Sequence, residues 1–260
     1  MIIDTHAHYD DKAFDEDREE LLGQMSASGI ELIVNVGASM ETSKATIELC
    51  NQYDFIYGAV GVHPNEVAEL SEEKIAQLKE YTNHKKVLAV GEIGLDYYWD
   101  EPERETQKKW FTRQLDLAKE VNLPIIIHSR DAAKDTLDIL KSSEYKDKVS
   151  GVIHCFSYGT EMAREYLNLG YVLGIGGVVT FNNAKKLKEV VEYAPLESIV
   201  LETDCPYLTP VPNRGKRNSS LYLPYIVKEI ASLKGCTEEE IISVTTMNAR
   251  RLYRLSSGTK

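Results

Sequence analysis

The sequence predicts an α/β fold of the TIM-type (β/α)8 barrel class with extra C-terminal helices, and three observations carry that prediction. Short apolar runs alternate steadily with longer stretches of helical period; eight such runs can be counted; and a histidine or carboxylate recurs just past the end of one run after another. The runs occupy residues 2–5, 32–36, 56–60, 87–91, 125–127, 151–153, 171–175 and 199–202. Amphipathic helices are expected at 15–28, 42–53, 72–81, 103–121, 132–141, 161–169 and 185–192. A Pro-rich loop follows the eighth run, then a helix at 223–233 and a terminal helical pair beginning at Thr237, where Thr237 and Glu240 fit a capping box. An open doubly wound sheet would struggle to gather groups from strands one, four, five, six and eight at one point, whereas a closed parallel barrel does so through its C-terminal rim.

The 260 residues are read as one domain, 1–260, because α/β barrels reach this length without division. Hydrophobic residues at 43% and charged residues at 27% are globular values, and no apolar run approaches the roughly eighteen residues of a membrane span, so no membrane association is expected. The four cysteines, at 50, 155, 205 and 236, form no C-x-x-C pair, and the N-terminus enters a strand with no signal-like stretch, which points to the cytoplasm. A formal charge of −11 gives no general attraction to nucleic acid, so any phosphate must be held locally. No obligate protein partner is evident.

Five of the six histidines lie at the ends of apolar runs. His6 and His8, two apart on an extended chain, point to the same side and can reach one ion. His128 follows Ile125-Ile126-Ile127 and His154 follows Gly151-Val152-Ile153. Glu92 closes the fourth run and Asp204 the eighth; carboxylates there need a cation partner to offset their loss of water. Imidazole and carboxylate together suit divalent metals, and six ligands exceed what one tetrahedral ion uses. Two ions about 3.5–4 Å apart, as in two-metal hydrolases, would employ them all. Zinc, manganese and magnesium all remain compatible with this donor set.

Around these ligands, His63 in Gly61-Val62-His63-Pro64 can hydrogen-bond a phosphate or protonate a leaving group, and Arg130 can clamp a phosphate. Arg214, Lys216 and Arg217 form a compact basic loop after strand eight, placed to hold a nucleic-acid backbone. Tyr97, with Tyr98 and Trp99, offers a surface on which a base can stack. Asp204 is the expected general base, with Glu202 and Thr203 orienting ligands from behind. Cys155 and Cys205 read as small buried thiols.

Six motifs, Asp4-Thr5-His6-Ala7-His8, Gly61-Val62-His63-Pro64, Gly91-Glu92-Ile93-Gly94-Leu95-Asp96-Tyr97, Ile127-His128-Ser129-Arg130, His154-Cys155-Phe156-Ser157 and Glu202-Thr203-Asp204-Cys205-Pro206-Tyr207-Leu208, together resemble the TatD family of metal-dependent deoxyribonucleases. The likeness extends to Asn213-Arg214-Gly215-Lys216-Arg217-Asn218 and to Asn248-Ala249-Arg250-Arg251-Leu252, nearly the whole chain. It implies an amidohydrolase-superfamily barrel with His6, His8, Glu92 and Asp204 around one ion and Glu92, His128 and His154 around the other, Glu92 being the bridge. It also implies a DNA substrate, a single strand or a strand end, cut from a 3′ end. One departure stands out: similar proteins usually continue Arg-Asn with Glu-Pro, whereas Asn218 here is followed by Ser219-Ser220. The competing expectation is an amidohydrolase acting on a small cyclic amide, ester or lactone, which the same pair of ions could serve; a metal-dependent scaffold without activity fits the catalytic-looking rim less well.

Overall fold

The computed structural model describes residues 1–99 and 101–255. Its eight strands are β1 (Ile2–Ala7), β2 (Ile30–Val36), β3 (Ile56–Val60), β4 (Val87–Asp96), β5 (Ile125–Arg130), β6 (Gly151–Ile153), β7 (Val172–Ile175) and β8 (Ile199–Leu201). They lie in one sheet in chain order, β1 to β8. The helices are α1 (Arg18–Gly23), α2 (Met40–Gln52), α3 (Glu72–Tyr81), α4 (Arg104–Val121), α5 (Ala133–Lys141), α6 (Thr160–Asn168), α7 (Lys185–Tyr193), α8 (Leu223–Lys234) and α9 (Glu238–Leu252). Strand and helix alternate through all eight repeats, which is the topology of the TIM-type (β/α)8 barrel.

Two compact units divide the chain: residues 1–35, 155–164 and 172–260 form one, and residues 36–154 and 165–171 the other. In the first, β1 runs beside β8, with Ala7 bridged in parallel to Cys205 and the Thr5 hydroxyl donating to the Leu201 carbonyl at 2.9 Å. Helix α9 packs on β1 and β8, and α8 packs on α9. The burial of Ile226, Ile230 and Ile241 on these helices follows from that packing, Ile226 and Ile230 being one helical turn apart. In the second unit β4 pairs with both β3 and β5, and α4 packs on β4. Every residue of β4 is buried, as expected of a strand covered on both faces.

Two irregularities set the direction of the strand ends. Between Asp4 and Ala7 strand β1 advances three residues while β2 advances two, from Ile33 to Asn35. Between Val90 and Ile93 strand β4 likewise advances three residues against two on β5, from Ile125 to Ile127. Each is a bulge, a device that turns a strand and re-aims a side chain. The extra residues fall at Thr5-His6 and at Gly91-Glu92.

The structure corrects several sequence boundaries. Strand β4 continues to Asp96 rather than ending at Gly91, because ladder pairing with β5 persists as far as Asp96 opposite Arg130. Helix α1 is only six residues long instead of spanning 15–28: the chain from Asp11 first makes a 3-10 turn over Lys12–Phe14, and after Gly23 the backbone tightens, Gln24 donating to Leu21 and Met25 to Leu22. The terminal pair of helices is the single helix α9, capped by Thr237, whose hydroxyl accepts from the Glu240 N–H at 3.1 Å. Among the described residues no helix is long and apolar enough to cross a membrane.

Gly94 occupies a place open to glycine alone. Its φ is +151°, and a Cβ there would overlap the carbonyl oxygen of His128. Gly94→Ala is therefore expected to destabilise the protein by about 2 kcal/mol or more through combined strain and overpacking; urea unfolding measures the loss, and a midpoint equal to wild type would refute it.

Candidate metal centre

In the first unit the bulge of β1 carries His6, fully buried, with His8 just beyond the strand. Their Nε2 atoms are 3.0 Å apart. Asp204 Oδ1 lies 3.7 Å from His6 Nε2 and 3.4 Å from His8 Nε2. Donor atoms bound at 2.0–2.1 Å around one ion sit about 3.0–3.4 Å from one another; the His6–His8 and His8–Asp204 pairs fall in that range and the His6–Asp204 pair lies just beyond it, so a small closing of the trio suits it to a shared divalent cation. Asp204 reaches this place because its backbone is left-handed, φ +56°, which aspartate tolerates better than most residues, and because its N–H donates to the His6 carbonyl at 2.9 Å.

Behind His6 lies a buried carboxylate whose role the sequence alone did not reveal. Asp4 accepts from the Thr203 hydroxyl at 2.7 Å, the Thr203 N–H at 3.0 Å, the Ser220 hydroxyl at 2.6 Å and the His6 N–H at 3.3 Å. Burial pushes its pKa up to about 7 in spite of those hydrogen bonds. Ser220, at the departure from the Glu-Pro pattern, also donates its N–H to the Tyr9 hydroxyl at 2.9 Å, a bond proline cannot make. Thr203, next to Asp204, donates to Asp4, and the buried Glu202 accepts the Cys155 N–H at 2.6 Å. Cys205 is buried and Cys155 half-buried.

In the second unit the bulge of β4 delivers Glu92, only 4% exposed, into a set of imidazoles. Around its Oε1 stand His128 Nδ1 at 2.9 Å, His154 Nε2 at 3.4 Å and His63 Nε2 at 3.8 Å. The other nitrogen of His128, Nε2, is 2.9 Å from Asp96 Oδ2. That carboxylate–imidazole–site arrangement is how proteins fix the ring and tautomer of a metal-binding histidine. Desolvation disfavours a charged His128, yet the hydrogen bonds to Asp96 and Glu92 outweigh it and raise its pKa. Asp96 is a residue that sequence reasoning missed; position 96 sits in the fourth-strand motif, but only the β4–β5 register, with Asp96 opposite Arg130 and Gly94 opposite His128, brings it to that ring.

His63 behaves differently. Burial, reinforced by the nearby His128, depresses its pKa to about 3. Its Nδ1 accepts the Asn65 N–H at 3.2 Å, so the neutral ring carries its proton on Nε2, the nitrogen facing Glu92.

The remaining candidates lie outside these two clusters. Arg130 is exposed, with its guanidinium 3.8 Å over the Tyr98 ring. Tyr97 donates its hydroxyl to Asp135 at 2.8 Å and lies beneath Arg104. In the loop after β8, Arg217 is bound to Asp17 by two hydrogen bonds of 2.5 and 2.7 Å, Arg214 lies 4.0 Å over the Phe181 ring, and Lys216 Nζ is 3.4 Å from Asn213 Oδ1. The charge of Arg217 is thus already answered within the protein.

The family model of TatD related DNases matches residues 3–254. The chain belongs to the TatD family. Among its relatives, the metal-dependent hydrolase YabD of Bacillus subtilis is 48% identical over 98% of this chain and 100% of its own length. The metal-dependent hydrolase TatD of Mycobacterium tuberculosis is 36% identical over 98% of each. The crystal structure of the TatD homologue YjjV from Escherichia coli superposes with a TM-score of 0.91 at 31% identity, covering 98% of both chains. As a TatD-family member the chain is a metal-dependent hydrolase, and the buried imidazole and carboxylate donors of both clusters are chemically suited to divalent ions.

Asp96→Asn removes the anion that orients His128, so affinity for zinc or manganese should fall by about 10- to 100-fold while the fold persists; calorimetric titration of metal-stripped protein measures it, and unchanged affinity would count against the arrangement. A second expectation concerns acid. Below the ordinary histidine pKa of 6.5 the unfolded chain protonates His63, whereas the folded chain resists until about 3, so this residue's share of stability is complete above pH 6.5 and drains away as pH falls from 6.5 toward 3. His63→Gln should flatten that part of the stability profile of metal-stripped protein, and a profile as steep as wild type would contradict the assignment.

Proposed function

We propose that this TatD-family hydrolase cleaves phosphodiester bonds of DNA, using two divalent ions held by His6, His8, Glu92, His128, His154 and Asp204, with Glu92 shared. The observation that carries the reading is Glu92 Oε1, a buried carboxylate oxygen with three imidazole nitrogens within 3.8 Å. Beside it stand the second donor trio of His6, His8 and Asp204 and the family's own description as DNases. When bound, two such ions polarise a nonbridging phosphate oxygen, make water a stronger acid and stabilise the leaving oxyanion.

The protein's side chains supply the rest. Asp204, fixed by its backbone bond to His6, accepts the proton of the attacking water. His63, neutral and with its proton on Nε2, donates a hydrogen bond to a phosphate oxygen; a pKa of about 3 suits it to that role better than to proton delivery. Arg130, and Arg214 and Lys216 in the basic loop, meet the backbone of the strand. The four cysteines, all free, suit a reducing cytoplasm.

The test is digestion of end-labelled single- and double-stranded DNA by metal-stripped protein re-supplied with magnesium, manganese or zinc. Cleavage restored by metal, progressing from one end, is expected. Asp204→Asn should keep most of the metal and lose turnover by about 100-fold or more. No cleavage with any ion, together with turnover of a lactone or cyclic amide, would overturn the reading.

A further inference from the structure

Two glutamines stand on the buried face of α4, where an amphipathic helix ordinarily carries apolar side chains. Gln107 and Gln114 are seven positions apart, two helical turns, and both are fully buried, with Phe111 between them on the same stripe. Burying a carboxamide costs free energy unless its donors and acceptor are met, and leucine would fill the same space without that cost. The partners are backbone groups at the exits of two neighbouring strands. Gln114 Oε1 accepts the Val62 N–H at 2.8 Å, and its Nε2 donates to the Val62 carbonyl at 3.0 Å. Gln107 Oε1 accepts the Asp96 N–H at 2.8 Å, and its Nε2 donates to the carbonyls of Asp96 at 2.8 Å and Pro102 at 2.9 Å.

Each carboxamide thus engages both polar groups of one residue, as a facing strand residue does in a ladder. Strand β3 ends at Val60, and Val62 lies two residues past it, directly before His63. Gly61, between them, is gripped in the same manner from α2: the buried Ser43 hydroxyl donates to its carbonyl at 2.9 Å and accepts its N–H at 3.1 Å. Asp96 ends β4, and its carboxylate meets His128 Nε2. The seven-residue separation on α4 corresponds to about 10.5 Å of helix axis, a length that the helix's own hydrogen bonds hold fixed.

We propose that Gln107 and Gln114 are positioning residues for hydrolysis: gripping the peptide groups of Asp96 and Val62 from one helix, they fix the His128 and His63 imidazoles against Glu92. The inference rests on the reading of the Glu92 cluster as a metal-dependent hydrolytic site, and it names what holds two of its rings. His63 receives its place through Val62, and His128 through the Asp96 carboxylate. Two rings with centroids 4.3 Å apart around one carboxylate oxygen leave little room for drift.

The experiment compares the full chain with Gln114→Met and Gln107→Met, which keep the volume and remove the hydrogen bonds. In metal-stripped protein labelled with nitrogen-15 at histidine, Gln114→Met should move the imidazole signals of His63 more than those of His128, and Gln107→Met should do the reverse. Gln107→Met should also weaken zinc binding by about tenfold, and Gln114→Met should lower kcat for DNA cleavage by about tenfold with a smaller change in KM. Gln114→Glu should restore most of the wild-type pattern, because a carboxyl group buried against a carbonyl stays protonated and offers one donor and one acceptor. Phe111→Leu, which loosens the same helix between the two clamps, should move neither pair of signals. Should Gln114→Met fail to fold, Gln114→Asn, one carbon too short to reach Val62, gives the same readout. Unmoved rings in the glutamine variants, equal movement in Phe111→Leu, or a Gln114→Glu no better than Gln114→Met would overturn the proposal. Absence of DNA cleavage by the wild-type chain with any metal would defeat the phosphodiesterase reading and leave the ring signals and zinc affinity to decide the clamps.

Discussion

A carboxylate shut away from water among imidazoles is the constraint on which the second unit is built. Glu92 has one oxygen within 3.8 Å of nitrogens from His63, His128 and His154, and a buried charge left unanswered there would cost several kcal/mol. The surroundings answer in part by proton sharing, with His128 drawn toward its charged form between Glu92 and Asp96 while His63 is driven neutral. One histidine gains affinity for a proton and its neighbour, ring centroids 4.3 Å away, loses it; two like charges so close together would repel. The donor chemistry that makes this cluster uneasy without a cation is what makes it suitable for one.

The backbone reaches these positions through irregularity rather than regularity. A strict two-residue alternation would carry side chains along each face in unbroken order, and the extra residues at Thr5-His6 and Gly91-Glu92 interrupt that order where a side chain must be aimed. Long-range hydrogen bonds do comparable work in the segment after β8, where Asp4, Thr203, Tyr9 and Ser220 link the first strand, the eighth strand's exit and the loop that replaces Glu-Pro by two serines. The serines do more than fill that gap, since both the amide and the hydroxyl of Ser220 are engaged.

The barrel topology was legible because eight apolar runs separated by helical periods leave few alternatives, and the candidate ligands were legible because histidines are scarce and stood at the ends of those runs. What the sequence could not disclose were relations across long separations. Nothing in the spacing of positions 96 and 128 announces that they share a proton; the pairing register does. Likewise Arg217 reads as an open basic residue until Asp17, two hundred positions away, is found against it. Local competition explains the misjudged elements: an Asp11-capped 3-10 turn and the turn that follows it delay the start of α1 to Arg18, and continued ladder bonding drew Glu92 and His128 inside their strands instead of leaving them beyond the ends.

The left-handed backbone at Asp204 restricts how this enzyme can be redesigned. Most side chains crowd the following carbonyl in that conformation, so a saturation library at this codon is filtered first by shape and only then by chemistry. Glycine and asparagine enter without bending the segment; glutamate, the other carboxylic acid, must bear the conformational penalty as well as a longer reach. A search for altered metal preference is better started at His8, a half-buried side chain outside the strand ladder, than at the aspartate opposite it.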